Sequence, residues 1–210
     1  ANFYGGLSAT SANAQIGGLQ NTTETWIGNI AEVIMFPSGL NDANRLQVES
    51  YLALKYGFTL GTTANTINYT ASDGTTVFWT GNATYQNDVF GIGTDNGSAL
   101  SQTQSNSMNS GNGDGTGQTT KGNVSLSSAA ALNDLQFLMV GNDAGAFTEH
   151  VIIAGEAPTI AVGSKRVIRN WKVQNTGAVG AIDLGFDIGG FTFSGGTTLS
   201  NYRLMIDDDG

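Results

Sequence analysis

Hydrophobic and polar positions change their period twice along the chain. From Ile27 to Phe36 the residues are apolar and rich in β-branched types, and Pro37, Ser38 and Gly39 follow at once, so the pattern predicts a mostly buried strand that ends in a turn. Over residues 42–56 the spacing becomes three-and-four. Val48, Tyr51, Leu52 and Tyr56 then share one face, which predicts a helix packed on a sheet by Val48, Leu52 and Tyr56, with Arg45 and Glu49 paired on the outside. Asn41 or Asp42 can accept from the first-turn N–H groups, Asp42 and Lys55 match the two ends of the helix dipole, and Gly57 supplies a left-handed stop.

Beyond Gly61 the pattern is strand-like throughout. Candidate strands are Thr75 to Thr80, Val89 to Thr94, Gly122 to Leu126, Asp134 to Val140, His150 to Ile153, Lys165 to Gln174, Ala178 to Asp187 and Tyr202 to Asp207. Ile182, Leu184, Phe186 and Ile188 point one way and Asp183, Gly185 and Asp187 the other, as in a sheet with one wet face. The stretch from Ser101 to Thr120 has Met108 as its only sizeable apolar residue and predicts a long exposed loop. Residues 87–99 and 133–146 echo each other, each with an Asn-Asp opening, an apolar run and an exit through Asp, Asn and Gly; two copies read as shared strand and turn grammar.

These elements predict an all-β chain, an antiparallel, jelly-roll-like β-sandwich with one packed α-helix. Two parts are expected: residues 1–60 with the first strands and the helix, and a sandwich module over 61–210, with a short polar join at 61–65. Two or three strands cannot close a jelly roll of about eight strands. The first part therefore docks on the second, is completed by another segment, or is a fragment of a larger fold.

Composition sharpens this reading. Thirty glycines and only 12% charged residues in 210 describe short strands joined by tight turns. A formal charge of −9 disfavours nucleic acid or an anionic membrane as partner, and no apolar run reaches the roughly 18 residues of a membrane span. Cysteine is absent, so neither disulfides nor thiol chemistry are expected, and the balance of residues is that of an exported bacterial surface protein.

The wording of two regions is more specific than their periodicity. Gly28, Ile30, Ala31, Glu32, Val33 and Ile34, followed by VESYLALKYG at residues 48–57, resemble the closing segment of the concanavalin A-like, laminin G-like jelly rolls of large bacterial surface proteins. Further on, QNDVFGIGTDNGSALSQTQS, NDLQFLMVGND, KRVIRNWKVQNTGAVGAIDLGFD and YRLMIDDDG look like a β-sandwich family of uncharacterised function that follows such an end in long secreted adhesins of Gram-negative bacteria, repeats-in-toxin types among them. The resemblance implies a split scaffold that holds inserted sugar- or peptide-binding domains outward. It brings no catalytic residue and no defined ligand pocket, and residues 1–25 match it least.

Little catalytic chemistry is legible. His150 is the sole histidine; its neighbour Glu149 faces the opposite way on a strand, so sequence proximity makes no dyad of them. Glu32, Glu49, Glu149 and Glu156 are dispersed, without a local acid–base pair. Among the aromatic residues, Trp171 reads as core between sheets, whereas Trp79 and Tyr85, flanking the turn at Gly81 and Asn82, are the candidates for stacking on a sugar; Trp26, Tyr69 and Tyr202 offer similar surfaces. Calcium needs about six to eight oxygens. Asp207, Asp208 and Asp209 are its candidate ligands, and Asn112 with Asp114, Asp95 with Asn96, and Asn142 with Asp143 are further oxygen-rich turns.

Residues and resemblance together lead to the expectation of a non-catalytic, secreted, cell-surface module that scaffolds or positions the ligand-binding domains of an adhesin. Its partners would be neighbouring adhesin domains and glycans on host or algal cells. A lectin-like domain that binds carbohydrate itself, and an accessory domain of a polysaccharide-degrading enzyme, are the alternatives.

Overall fold

The computed structural model describes residues 27–106, 124–128, 130–146, 148–156, 161–187, 194 and 198–207. The chain divides into two compact units, Ala1–Asp42 and Ala43–Gly210. In the first, residues 27–36 form no strand, and Ile27 is 96% exposed, with Ile30, Val33, Ile34, Met35 and Phe36 exposed as well. The buried strand expected over Ile27 to Phe36 is thus corrected. Its side chains suit a sheet, but a strand exists only where a neighbouring ladder accepts its backbone, and side-chain pattern does not provide that ladder.

The expected helix, α1 (Asp42–Tyr56), belongs to the second unit from Ala43 on and is acidic in its first turn at Asp42 and basic in its last at Lys55. Gly57 ends it with φ +69°, and its N–H donates to Ala53 O at 2.8 Å. The strands that follow are β1 (Gly61–Thr62), β2 (Asn65–Thr66), β3 (Tyr69–Thr70), β4 (Val77–Trp79), β5 (Asn87–Asp95), β6 (Leu100–Gln102), β7 (Gln104–Asn106), β8 (Val124–Ser128), β9 (Gln136–Asn142), β10 (Glu149–Val151), β11 (Lys165–Val167), β12 (Trp171–Thr176) and β13 (Ile182–Phe186). All pairings are antiparallel. A four-stranded sheet runs β12–β9–β5–β6, a three-stranded sheet β13–β8–β7, and β1–β2, β3–β4 and β10–β11 form two-stranded ladders. The predicted all-β sandwich with one helix is the architecture of the described residues.

The centres of β5 (Asn87–Asp95) and β9 (Gln136–Asn142) read VFGIG and FLMVG, without polar residues, because both faces of their sheet are covered. On one face Val89, Phe137 and Met139 pack with Ala53 and Leu54 of α1 and with Tyr69, Phe78 and Trp79 of the β3–β4 hairpin. The rings of Phe78 and Phe137 stack at 4.3 Å between centroids, and Tyr69 meets Phe78 edge-on. On the other face Phe90, Ile92, Leu138 and Val140 pack with Val124 and Leu126 of β8 and with Val179. Gly91 lies opposite Met139 and Gly93 opposite Phe137. A Cβ at Gly93 would run into the Phe137 ring, and one at Gly91 into the Met139 sulfur and the Leu138 carbonyl, so the glycines are hollows for their large cross-strand neighbours.

Two buried polar side chains pin the layers on the first face. Gln86 accepts from Trp79 Nε1 at 3.1 Å and from the Asn82 N–H at 3.2 Å, and donates to Leu60 O at 2.7 Å. Ser50 of α1, fully buried, accepts from the Thr70 N–H of β3 at 3.0 Å. Helix packing differs from the expected face. Ser50, Ala53 and Leu54 are buried, whereas Val48, Leu52 and Tyr56 are only half-buried. Small residues let the helix approach the sheet closely, and a search for large apolar positions overlooks them.

Three further expectations change. The single strand foreseen from Lys165 to Gln174 is two, β11 and β12, in different sheets. Between them Arg169 is buried and donates through Nε to Gly145 O at 2.8 Å, and Asn170 donates its N–H and its amide to Asp143. Of the loop foreseen from Ser101 to Thr120, residues 101–106 belong to β6 and β7 or link them, and 107–120 lie outside the described residues. Residues 202–207 form no strand, and Leu204, Met205 and Ile206 are exposed. The echoing segments contain β5 and β9, neighbours in one sheet, and each exits through a side-chain-capped turn: Asp95 accepts from the Gly97 N–H and Asn142 from the Ala144 N–H.

Candidate functional site

The chain passes from one sheet to the other between β6 and β7, with Thr103 alone between the two strands. Along that side of the sandwich runs a groove of about 660 Å³ between the end of α1 and the β7–β8 hairpin. Lys55, Tyr56 and Gly57 form one wall, and Gln102, Gln104, Ser105, Asn106, Ser125, Leu126 and Ser127 form the other. Gln104 pairs with Ser127 and Asn106 with Ser125, and the residue between the two serines, Leu126, is buried in the second core. Period-two alternation therefore turns these four polar side chains to the face away from that core. Gln102 Nε2 donates to Gln104 O at 2.5 Å across the crossing, and Lys55 Nζ donates to Tyr51 Oη at 2.6 Å while lying over the Tyr51 and Tyr56 rings.

His150 has a partner that sequence proximity did not reveal. Its Nε2 lies 2.8 Å and 3.0 Å from the two carboxylate oxygens of Glu156, six residues on, beyond the end of β10. Glu156 Oε2 also accepts from the Ile153 N–H at 3.0 Å. That N–H first, then His150 and the charge of Arg166, hold the Glu156 carboxyl below its ordinary range. Arg166 stands opposite His150 in the β10–β11 register. Glu149 faces the other way, pairing with Lys165 at 3.1 Å and accepting from the Ser194 hydroxyl and N–H, which lowers its carboxyl too, the hydroxyl most. The His150–Glu156 pair is half-exposed and closes the turn of a hairpin.

The aromatic candidates separate. Trp79 is 0% exposed, its ring sits in the first core with Lys172 Nζ 5.2 Å from its centroid, and its indole N–H is taken by Gln86; it presents no free face for a sugar to stack on. Tyr85 is half-buried and packs against the same core. Trp171 is half-buried at the edge of the second core, edge-on to Phe186 at 5.7 Å. Trp26 lies outside the described residues.

Of the calcium candidates, Asp207 is exposed, and Asp208, Asp209, Asn112 and Asp114 lie outside the described residues. Asp95 is buried and accepts from the Ser72 N–H at 2.8 Å, the Ser72 hydroxyl at 2.5 Å and the Gly97 N–H at 3.1 Å, which closes its own turn and ties it to the segment at Ser72. Asp143 accepts from the Gly145 N–H at 2.8 Å and from Asn170. No group of three or more His, Cys, Asp or Glu side chains gathers among the described residues.

Sequence reasoning missed the groove, Gln86 and Glu156. Glu156 carried a signal, since a short strand followed by a tight turn returns the chain to the strand's own side chains. The groove carried none, because its walls come from segments some fifty and seventy residues apart. The family described as "Domain of unknown function (DUF8202)" matches residues 44–210. No curated protein and no solved structure matches the chain.

Proposed function

We propose, from the premise that the chain belongs to the DUF8202 family, that it is a non-catalytic module of a large bacterial surface adhesin, one that scaffolds or positions ligand-binding domains for cell adhesion. The observation that supports this reading most is the central sheet, covered at the centre of both faces, with Gln86 and Ser50 fastening the segments over the first. Such a body is stiff, and its surface loops can vary without disturbing the layers that hold them. The resemblance of residues 26–60 and of the later segments to secreted adhesins supplies the setting: outside the cell, beside further adhesin domains. In that setting calcium held by Asp207, Asp208 and Asp209 would stiffen the junction to a neighbour.

The test is made in the full protein that carries this chain. Removal of residues 44–210 is expected to reduce attachment of intact cells while the remaining protein still reaches the surface, measured by protease accessibility. Unchanged attachment, or a full protein found only inside the cell, overturns the reading. For calcium, the melting temperature is expected to rise with millimolar Ca²⁺ and to lose that response in the Asp207→Asn, Asp209→Asn variant.

A further inference from the structure

We propose that the groove between the end of α1 and the β7–β8 hairpin binds a short stretch of polysaccharide. Its size falls in the range of about 300–1,000 Å³ that suits an organic ligand of several rings, and both walls are built on regular elements, so it is preformed. Its lining sets the ligand class. Pockets for apolar ligands and most cofactors are walled mainly by hydrophobic side chains; this one offers amides and hydroxyls. Each sugar hydroxyl both donates and accepts, and so do a glutamine amide and a serine hydroxyl.

The side chains of Gln104, Ser125 and Ser127 make no hydrogen bond among the described residues. They stand on a ladder grid of about 4.8 Å between strands and about 6.8 Å along them, far enough apart to reach hydroxyls on neighbouring rings of a chain rather than on one ring. Gly185, opposite Ser125 on β13, keeps that hydroxyl uncovered: a Cβ there would stand 2.5 Å from Ser125 Oγ. Tyr56 adds a ring with a polar tip, a shape that suits the apolar face and rim of a sugar. Among the described residues no carboxylate lines the groove, and Lys55 stands at one end. That described lining accommodates neutral sugars and uronates alike, and its one ammonium is too few for a nucleic-acid backbone.

This inference goes beyond the scaffold reading and does not rest on it, since the outcome below concerns the isolated chain and leaves the attachment assay to decide the other. The purified 210-residue chain is applied to an array of short neutral and uronic-acid oligosaccharides, and the retained ones are titrated calorimetrically. Retention is expected, with the ratio of the two classes reporting what Lys55 adds. The Gln104→Ala, Ser127→Ala variant is expected to bind about tenfold more weakly or worse, as two lost hydrogen bonds imply, with an unchanged melting curve because Gln104 is exposed, Ser127 is half-buried, and neither side chain has a hydrogen-bond partner among the described residues. Gly185→Leu, which covers Ser125, is expected to weaken binding as well. Retention of no oligosaccharide overturns the proposal, and so does retention that both variants leave intact.

Discussion

The two faces of the β12–β9–β5–β6 sheet are closed in different ways. Toward α1 and the β3–β4 hairpin, the covering side chains Leu54, Tyr69, Phe78 and Trp79 are fully buried, Gln86 donates to Leu60 O, and Ser50 of the helix accepts from the Thr70 N–H of the hairpin. Toward β13–β8–β7 the centre is as dry, at Ile92 and Val140, but the margin is open: Trp171 is half-buried, and Val173, Leu184 and Phe186 (41%) are exposed. Apolar area closes the middle of either face. On the first face the buried side chains of Gln86 and Ser50 also fasten the covering segments, and that is where resistance to local opening should concentrate.

The largest expected effect tests the fastened face. Phe137→Ala removes the partner of the Phe78 stack and should cost about 3–5 kcal/mol in urea unfolding; a loss under about 1 kcal/mol would show that the layer collapses onto the hollow. Gln86→Leu keeps the volume but leaves the Trp79 indole N–H and the Leu60 carbonyl without their partner. It should cost at least about 2 kcal/mol and raise hydrogen exchange at the indole, and an unchanged exchange rate would remove the pin from the comparison. On the open face, Phe186→Ala should cost about 1 kcal/mol, in keeping with partial burial. A cost equal to that of Phe137→Ala would erase the asymmetry.

The smallest effect belongs to neither face. Because hydrogen bonds lower the Glu156 carboxyl from its ordinary 4.5, its contribution to stability is present above that value and is lost as pH falls through the lowered folded-state value. Glu156→Gln should lower the melting temperature slightly at neutral pH, and the gap to the unsubstituted chain should narrow below pH 4.5. A gap that widens on acidification would assign the opposite sign to the pair.

What was legible in the sequence follows from which interactions are local. The helix was, because its caps and its end lie within one segment, and β5 and β9 were, because an uninterrupted apolar run suits a strand covered on both faces. The strands foreseen at Ile27 to Phe36 and Tyr202 to Asp207 were equally well patterned, yet pattern measures fitness for a sheet and not the presence of a neighbour. The helix's contact line escaped because Ser50, Ala53 and Gly57 are small, and their value lies in the distance they permit. Trp79 illustrates the same limit. A tryptophan beside a turn suits a surface as well as a core, and only Gln86, seven residues away, decides where its indole N–H is satisfied.

Gly91 and Gly93 carry a consequence for how the chain finds its fold. A slip of one residue between β5 and β9 would exchange the two faces, and the resulting mismatch of cores would reject it. A slip of two keeps every side chain on its proper face, so burial alone cannot detect the error. The glycines detect it. Sliding one way places Met139 opposite Val89, and sliding the other way places Phe137 opposite Asp95, so in either case a large side chain meets a side chain where it needs an empty space. The central pair is thereby keyed like a tumbler lock, with the pins on β9 and the notches on β5, and two residues without side chains proofread the alignment on which both cores depend.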